Sequence, residues 1–330
     1  MIEQRGYEMK QYIIRRLLQM IPTLIGTTFI VFIIINMAPG NPLSHMVDPT
    51  ISGEALERRR EQLGLDRPLL VRYGSWLSEA VQGNLGYSTR YRGREVSAII
   101  QSRLAPTVIL TFSSIFISFI LAVPIGVISA TRQYSTLDYS VIVSAIAGVS
   151  VPVFFLGIVL IWAFGFQLGW LPVGGMSTAG VRYPSFLVYA HDVARHLVLP
   201  LVTLTCANTA RFVRFTRSSM LEVIKQDYVR TARAKGLSER VVIYRHALRN
   251  ALLPVVTILG LSLPFLFSGA IITEAVFAWP GMGTLLIEAI SVRDYGLVMG
   301  INVFLAVLVI LGNLLADIFY SIVDPRICYD

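Results

Sequence analysis

Residues that could act as nucleophiles, general acids or phosphate-binding cations are few in this sequence, and their spacing matches no catalytic motif. Lysine occurs only at positions 10, 225 and 235, and none of the three follows a glycine. This excludes the Gly-Lys-Ser/Thr loop that cradles nucleotide phosphates. None of the four histidines belongs to a His-Glu-x-x-His zinc motif. We therefore predict a non-catalytic chain with no metal site and no cofactor of its own.

Other polar side chains that could do chemistry lie inside long apolar stretches. Ionisable groups in such stretches of a membrane protein are functional candidates, because burying them in lipid is unfavourable. Polar groups there either line a path for a substrate or form hydrogen bonds between helices. Both interpretations remain open for Asn208, Glu274, Asn302 and Asn313. Glu274 lies near one end of its stretch, so no acid occupies the middle of a stretch, where a proton-coupled carrier needs one.

The elements that must position these residues follow first from composition. The 330-residue chain is 55% hydrophobic and only 15% charged, and its mean hydropathy is +0.65. Globular domains carry about 25% charged residues, so these charges are too few to cover a soluble surface. The net charge of +8 fits basic residues gathered on the cytoplasmic side of a membrane better than it fits a nucleic-acid partner. Composition therefore predicts a protein embedded in a lipid bilayer.

Uncharged stretches predict six transmembrane helices, since about 20 apolar residues span the hydrocarbon core. The fourth is the weakest, because residues 196–210 give only 15 uncharged positions. Ten Lys and Arg residues follow between positions 211 and 249, and the positive-inside rule favours a crossing that places them in the cytoplasm. We predict an all-α membrane protein whose termini, 1–16 and 324–330, are both cytoplasmic. The predicted helices are 17–38, 104–131, 140–166, 196–215, 250–273 and 295–320.

A long polar segment, residues 39–103, separates the first two apolar stretches on the predicted outer side. Within it, the patterns over 54–65 and 69–81 predict short amphipathic helices, and 83–91 is a loop rich in Gly, Tyr and Ser. This extracytoplasmic insert forms either a cap packed on the outer helix ends or a docking surface for an external partner. The sequence leaves both interpretations open.

The basic segment 216–249 forms a cytoplasmic loop within the predicted membrane core, 104–323. Lys235 followed by Gly236 is a helix stop, with a cation in the last turn and a glycine just after it. Ser238 is suited to begin the next helix. The residues at helical spacing on one predicted apolar face are Leu221, Ile224, Tyr228 and Ala232. This pattern predicts a helix–Gly–helix hairpin that either docks another protein or lies on anionic lipid.

The hairpin and several other fragments resemble one known family. Residues Asp227–Leu237 and His246–Pro254 are similar to the cytoplasmic coupling loop of ABC importer permeases, and more narrowly to the dipeptide/oligopeptide branch. Fragments with the same resemblance follow in order along nearly the whole chain: Ala38–Pro42, Gln62–Pro68, Gly83–Ser88, Phe277–Gly283, Arg293–Tyr295 and Asp324–Arg326. Each fragment alone is weakly specific, whereas their joint order is highly specific.

The resemblance implies a type I ABC importer permease architecture in the bacterial cytoplasmic (inner) membrane. It also implies a heterodimer with a second, homologous permease, two ABC ATPase subunits that bind ATP and Mg, and an extracytoplasmic substrate-binding protein. In the family the short helix of the loop docks in a groove on the ATPase. The positions that match this coupling motif are Asp227, Tyr228, Arg230, Thr231, Ala232, Arg233, Ala234, Lys235, Gly236 and Leu237.

The expected function is ATP-driven import of di- and oligopeptides by alternating access. Nickel chelates, glutathione and oligosaccharides are alternative substrates for the same machinery. Two other classes stay open: a secondary carrier or channel that works without ATPases, and a non-transporting scaffold or receptor with six helices. The general permease motif has Glu-Ala-Ala beginning six residues before its glycine, where this chain has Arg230, Thr231 and Ala232. The distance from Gly236 to Pro254 is also longer than in the general motif. Both departures are like the peptide branch.

Overall fold

The computed structural model describes residues 2–37, 66–262, 265–268 and 270–323, which are predominantly helical. In chain order the helices are α1 (Ile2–Met37), α2 (Leu69–Val81), α3 (Val96–Thr131), α4 (Thr136–Ser150), α5 (Val153–Leu160), α6 (Phe186–Val223), α7 (Asp227–Ala234), α8 (Glu239–Val241), α9 (Leu248–Leu261), α10 (Phe265–Ser268), α11 (Ile271–Val276), α12 (Met282–Ser291) and α13 (Tyr295–Val323). Two π-helical segments, Ile161–Gln167 and Val242–Ala247, continue α5 and join α8 to α9. The predicted helix 54–65 and tail 324–330 lie outside the described residues.

Several helices are long and apolar enough to cross a bilayer. Four qualify singly: Leu18–Met37, Val96–Thr131, Phe186–Val223 and Tyr295–Leu314. Two bent pairs raise the number to six if each pair is one crossing: Thr136–Ser150 with Val153–Gln167, and Glu239–Leu261 with Phe265–Val276. The prediction of an all-α membrane protein is confirmed. The weakest predicted stretch, 196–215, lies inside α6, a helix of 38 residues.

The predicted helix 140–166 is not a single rod. The chain bends by 95° between α4 and the helix that begins at Val153. Proline at position 152 has no N–H to donate, and it disfavours helical geometry at the preceding residue. Val151 accordingly adopts an extended conformation, with φ −74° and ψ 123°. The composition of this stretch is uniformly apolar, so only the proline marked the bend.

The described residues form two compact units. The first comprises residues up to 105 together with 281–310, and the second comprises 106–280 together with 311–323. In the first unit, the start of α3 packs against α12 and the start of α13. The residues fully buried in this cluster include Val96, Ile100, Leu285, Leu297 and Ile301. This contact fixes the N-terminal end of α3, because each of these apolar side chains is removed from solvent.

Helix α2, which belongs to the predicted outer insert, is attached to α1 within the first unit. The Tyr73 ring packs against Phe29 and Phe32, with centroids 5.0 and 5.5 Å away. Its hydroxyl donates to the Ile25 carbonyl at 3.0 Å and lies 2.9 Å from the Thr28 hydroxyl. A buried tyrosine with a satisfied hydroxyl is a specific anchor. The described part of the insert is therefore packed rather than free-standing.

Asp294 joins the loop after α2 to the segment that precedes α13. Its carboxylate is fully buried and accepts hydrogen bonds from the Ser88 hydroxyl at 2.5 Å and the Arg90 backbone N–H at 3.0 Å. It also accepts from the Leu297 N–H at 3.1 Å, which caps α13. A buried carboxylate is tolerated when hydrogen bonds replace its lost hydration. One side chain thus organises this part of the first unit, hereafter the Asp294 rim.

Replacing Asp294 with alanine should loosen this rim. The change leaves the buried Ser88 hydroxyl and the Arg90 N–H without acceptors, which costs about 2 kcal/mol of unfolding free energy. Hydrogen–deuterium exchange of residues 86–91 should accelerate. Glu79→Ala is the matched control, because Glu79 accepts only an exposed hydrogen bond from Asn84 and should change stability by less than about 0.5 kcal/mol. Equal exchange in the two variants would contradict the organising role of Asp294.

Candidate functional site

The hairpin predicted for residues 216–249 has the expected helix–Gly–helix form. Helix α6 ends at Val223, α7 runs from Asp227 to Ala234, and the next helical segment begins at Glu239. Gly236 has φ +73°, the left-handed conformation that ends helices, so the prediction of a glycine bend at this position is confirmed. Ser238 precedes the second helix as expected, but its side chain makes no capping hydrogen bond.

The buried face of α7 differs from the predicted one. Val229 and Ala232 are buried, at 0% and 5% exposure, whereas Tyr228 is 41% exposed. The prediction that Tyr228 shares an apolar face with Leu221 and Ile224 was wrong, because the helix stops after Val223 and restarts at Asp227. Because of this break, the helical spacing of the residues up to Val223 does not predict which residues of α7 are buried. The Tyr228 hydroxyl accepts instead a hydrogen bond of 2.8 Å from the Asn250 amide at the start of α9.

The buried face seats α7 on the helices of the second unit. Val229 and Ala232 belong to one cluster with Val127 of α3, Met220 of α6 and Ala251 of α9. Close packing of this kind transmits displacement, since interiors of proteins are dense and poorly compressible. A force applied to α7 would therefore act on three helices at once.

The opposite face of α7 is open to solvent. Of the ten residues that match the coupling motif, nine are exposed and Ala232 is buried. The exposed residues are Asp227, Tyr228, Arg230, Thr231, Arg233, Ala234, Lys235, Gly236 and Leu237. Three of them are cations and one is a carboxylate; these nine residues, hereafter the α7 surface, are open to solvent.

An ion pair spans the bend at Gly236. The Arg233 guanidinium donates to the Glu239 carboxylate at 2.8 Å, across Gly236. This hydrogen bond raises the pKa of Arg233 above its usual value. A second pair on α7, Arg230 with Asp227 at 3.3 Å, is almost fully exposed. Exposed pairs contribute about 0–1 kcal/mol, so both orient side chains more than they stabilise the fold.

A buried charge cluster lies at the start of α4, and sequence reasoning missed it. Asp138, 1% exposed, accepts two hydrogen bonds from the Arg217 guanidinium of α6, at 2.7 and 2.8 Å. Ser129 of α3 donates to the same carboxylate at 2.5 Å, and the Tyr134 N–H donates at 3.0 Å. The sequence feature that could have indicated this cluster is a single aspartate, Asp138, at the start of an apolar stretch just after Ser135. Its partner is 79 residues away, which no local pattern reveals.

The four candidate path residues have different hydrogen-bond partners and surroundings. Asn208 donates to the Ser114 hydroxyl at 3.1 Å and lines a cavity in the second unit. Glu274 is fully buried and accepts from Thr107 at 2.9 Å. Asn302, in the first unit, donates to the Val298 carbonyl of its own helix at 2.8 Å, and Asn313 is exposed. Hydrogen bonding within and between helices accounts for Asn208, Glu274 and Asn302, and Asn208 alone among the four lines that cavity.

Comparison with known proteins agrees with this arrangement. Residues 122–329 match the family described as binding-protein-dependent transport system inner membrane component, and residues 9–111 match the N-terminal part of that membrane component. A chain of the MetNI methionine ABC transporter, in inward-facing conformations, superposes with a TM-score of 0.52. The match covers 69% of this chain and 97% of that one at 20% sequence identity, and shows the fold alone.

Full-length relatives are much more similar in sequence. The oligopeptide transport system permease protein AppB of Bacillus subtilis is 44% identical over 97% of this chain and 100% of its own. The dipeptide transport system permease protein DppB of Alkalihalophilus pseudofirmus and the glutathione transport system permease protein GsiC of Escherichia coli K12 are each 40% identical, with the same coverage. The chain therefore belongs to the family of binding-protein-dependent transport system inner membrane components.

Proposed function

We propose that this chain is a permease subunit of an ATP-driven ABC importer that moves short peptides across the bacterial inner membrane by alternating access. It crosses the membrane six times with both termini in the cytoplasm. It pairs with a second homologous permease, two ABC ATPase subunits and an extracytoplasmic binding protein. The chain itself is non-catalytic, and the ATPase subunits bind ATP and Mg.

The observation that carries this proposal is the seating of α7. One face is buried against α3, α6 and α9 through Val229 and Ala232, and the other face is solvent-exposed over nine residues of the coupling motif. An ATPase that grips the exposed face can therefore move three helices as it closes on ATP. A secondary carrier needs no such surface.

The peptide substrate is supported by the relatives. AppB and DppB are named for oligopeptide and dipeptide transport, and both are similar over their full length. Glutathione, the substrate in the name of GsiC, is itself a small peptide-like acid, and GsiC has the same coverage at 40% identity. Short peptides, glutathione among them, are thus the substrate class that the names of these relatives share.

Gentle isolation of the chain from its native membrane, followed by mass spectrometry of what copurifies, tests the assembly. We expect a second permease and one or two proteins with Gly-Lys-Ser/Thr loops. The isolated complex, placed in proteoliposomes with its binding protein, should accumulate a radiolabelled tripeptide only when ATP is supplied. Recovery of the chain alone in several mild detergents, or uptake without ATPase subunits, would overturn the proposal in favour of a carrier.

Charge reversal at Arg230 should weaken ATPase docking. The Arg230 side chain is 74% exposed and lies on the α7 surface, so a glutamate there would reverse the charge presented to the ATPase without disturbing the packed face. We expect about tenfold weaker assembly, which corresponds to about 1.4 kcal/mol, measured by binding of the purified ATPase to the permease. Arg182→Glu, at an exposed position outside the hairpin, is the control. Unchanged assembly in Arg230→Glu would place this arginine toward lipid head groups instead.

A further inference from the structure

A cavity of about 230 Å³, lined by both polar and apolar residues, lies within the second unit. Three consecutive wall positions on α6 are Leu204, Asn208 and Arg211, spaced by four and three residues along one helical face. Thr111 and Ser114 of α3 form the facing wall. The cavity is smaller than the roughly 300–1,000 Å³ of a site for a drug-sized ligand. It is suited to one end of a peptide rather than to the whole molecule.

Most polar groups of this wall already donate a hydrogen bond within the protein. The Thr111 hydroxyl donates to the carbonyls of Thr107 and Leu266, at 2.7 and 2.8 Å. Ser262 donates to the Ile258 carbonyl at 2.8 Å. Asn208 uses one N–H on Ser114, and its second N–H remains available because an amide carries two donors. The wall can therefore offer a ligand one amide N–H donor of Asn208, in addition to the N–H donors of the Arg211 guanidinium.

Arg211 is the charged group of this wall. Among the residues that the structure describes, no carboxylate pairs with its guanidinium. An arginine inside a predicted membrane helix is unfavourable unless a partner or a wet cavity compensates it. The neighbouring groove of about 570 Å³, on another side of α6, is lined by no charged residue. Arg211, itself an exposed residue, is thus the charged residue among those that line the smaller cavity.

We propose that Arg211, assisted by Asn208, binds the terminal carboxylate of the substrate during translocation. The guanidinium presents paired N–H donors whose geometry matches a carboxylate, and Asn208, one helical turn away, adds a further donor. This inference rests on the proposed transport of short peptides and specifies which part of the peptide the permease recognises. It makes Arg211 a substrate-binding residue of the permease itself.

The test compares trialanine with its C-terminal amide in proteoliposomes that contain the complete importer. Wild type should import the free acid at least about tenfold better than the amide, because only the acid offers a charge-assisted pair to Arg211. Arg211→Gln should lose about tenfold in uptake of the acid, leave uptake of the amide unchanged, and so abolish the discrimination. Arg211→Lys should retain part of it. Any selectivity of the binding protein is common to all variants and cancels in this comparison.

Arg214→Gln is the matched control, since Arg214 lies one turn further along α6 and is exposed like Arg211, but does not line the cavity. It should behave as wild type. If Arg211→Gln lowers uptake of acid and amide equally, or prevents assembly with the second permease, Arg211 serves structure or a subunit contact and the inference is wrong. If an assembled, ATP-hydrolysing wild-type importer moves neither peptide, the proposed peptide transport itself fails, which is a distinguishable result.

Discussion

Gly236→Val is expected to abolish most ATP-driven uptake while leaving membrane insertion and expression intact. Gly236 has φ +73°, and apart from its two chain neighbours no described atom lies within 4 Å of the place that a Cβ would occupy. A side chain therefore has space, and the expected effect comes from the backbone conformation alone. A β-branched residue in that conformation is strained by about 1–3 kcal/mol. The hairpin should escape this strain by opening the bend, which turns α7 away from its seat on Val127 and Met220.

The expected loss of uptake is about five- to 150-fold, the population change that 1–3 kcal/mol produces. Uptake and ATPase binding should be measured on the same proteoliposome preparation. Gly236→Asn should be milder, because asparagine tolerates the left-handed region better than other residues with a side chain. Gly180→Val is the matched control: Gly180 has φ +77° and equally open surroundings but lies outside the hairpin. Normal uptake by Gly236→Val at wild-type expression would contradict the proposed role of the Gly236 bend in ATPase docking.

Asp138→Ala should strongly destabilise the second unit. It leaves the Arg217 guanidinium, 20% exposed, without its two charged hydrogen bonds, and it removes the acceptor of Ser129. Breaking one partner of a buried ion pair costs about 3–5 kcal/mol. Thermal unfolding of the purified chain in mild detergent, followed by tryptophan fluorescence, should show the loss.

A double variant separates charge from packing at this site. Asp138→Asn with Arg217→Met removes both charges while keeping similar volumes, and should recover much of the stability, because replacing a whole buried pair by neutral groups is often nearly neutral. Lys225→Ala is the control, because Lys225 is exposed and lies just after the end of α6, the helix that carries Arg217. It should change the free energy of unfolding by less than about 0.5 kcal/mol. A loss below about 1 kcal/mol in Asp138→Ala would mean that the pair is solvated and merely orients side chains.

Much of the fold was predictable because its determinants are local. Long uncharged stretches specify helices in lipid, since only a helix satisfies its backbone hydrogen bonds there. The bend at Gly236 was predictable for the same reason, because a cation followed by glycine ends a helix regardless of what lies around it. The weak stretch 196–215 also lies in a helix, α6, which is 38 residues long.

Sequence reasoning failed where a local break or a distant partner mattered. Pro152 divides one apolar stretch into two helices bent by 95°, although hydropathy changes little there. The stop at Val223 shifted the buried face of α7 from Tyr228 to Val229, because a helical pattern cannot be extended across a break. Glu274 was assigned near a membrane interface, and its full burial against Thr107 became visible only once α3 and α11 were placed side by side.

Local sequence features were sufficient for the class of the protein, its family resemblance and the glycine-bent basic hairpin. Composition, charge asymmetry and helix stops act over a few residues, so they can be interpreted without knowledge of the fold. Three features could be identified only from the packed helices. Asp138 forms an ion pair with Arg217, Val229 packs the hairpin against α3 and α6, and Arg211 lines a cavity with residues of α3. Those contacts join residues that are up to about a hundred positions apart, and their energies depend on burial and geometry, which exist only after the helices have packed.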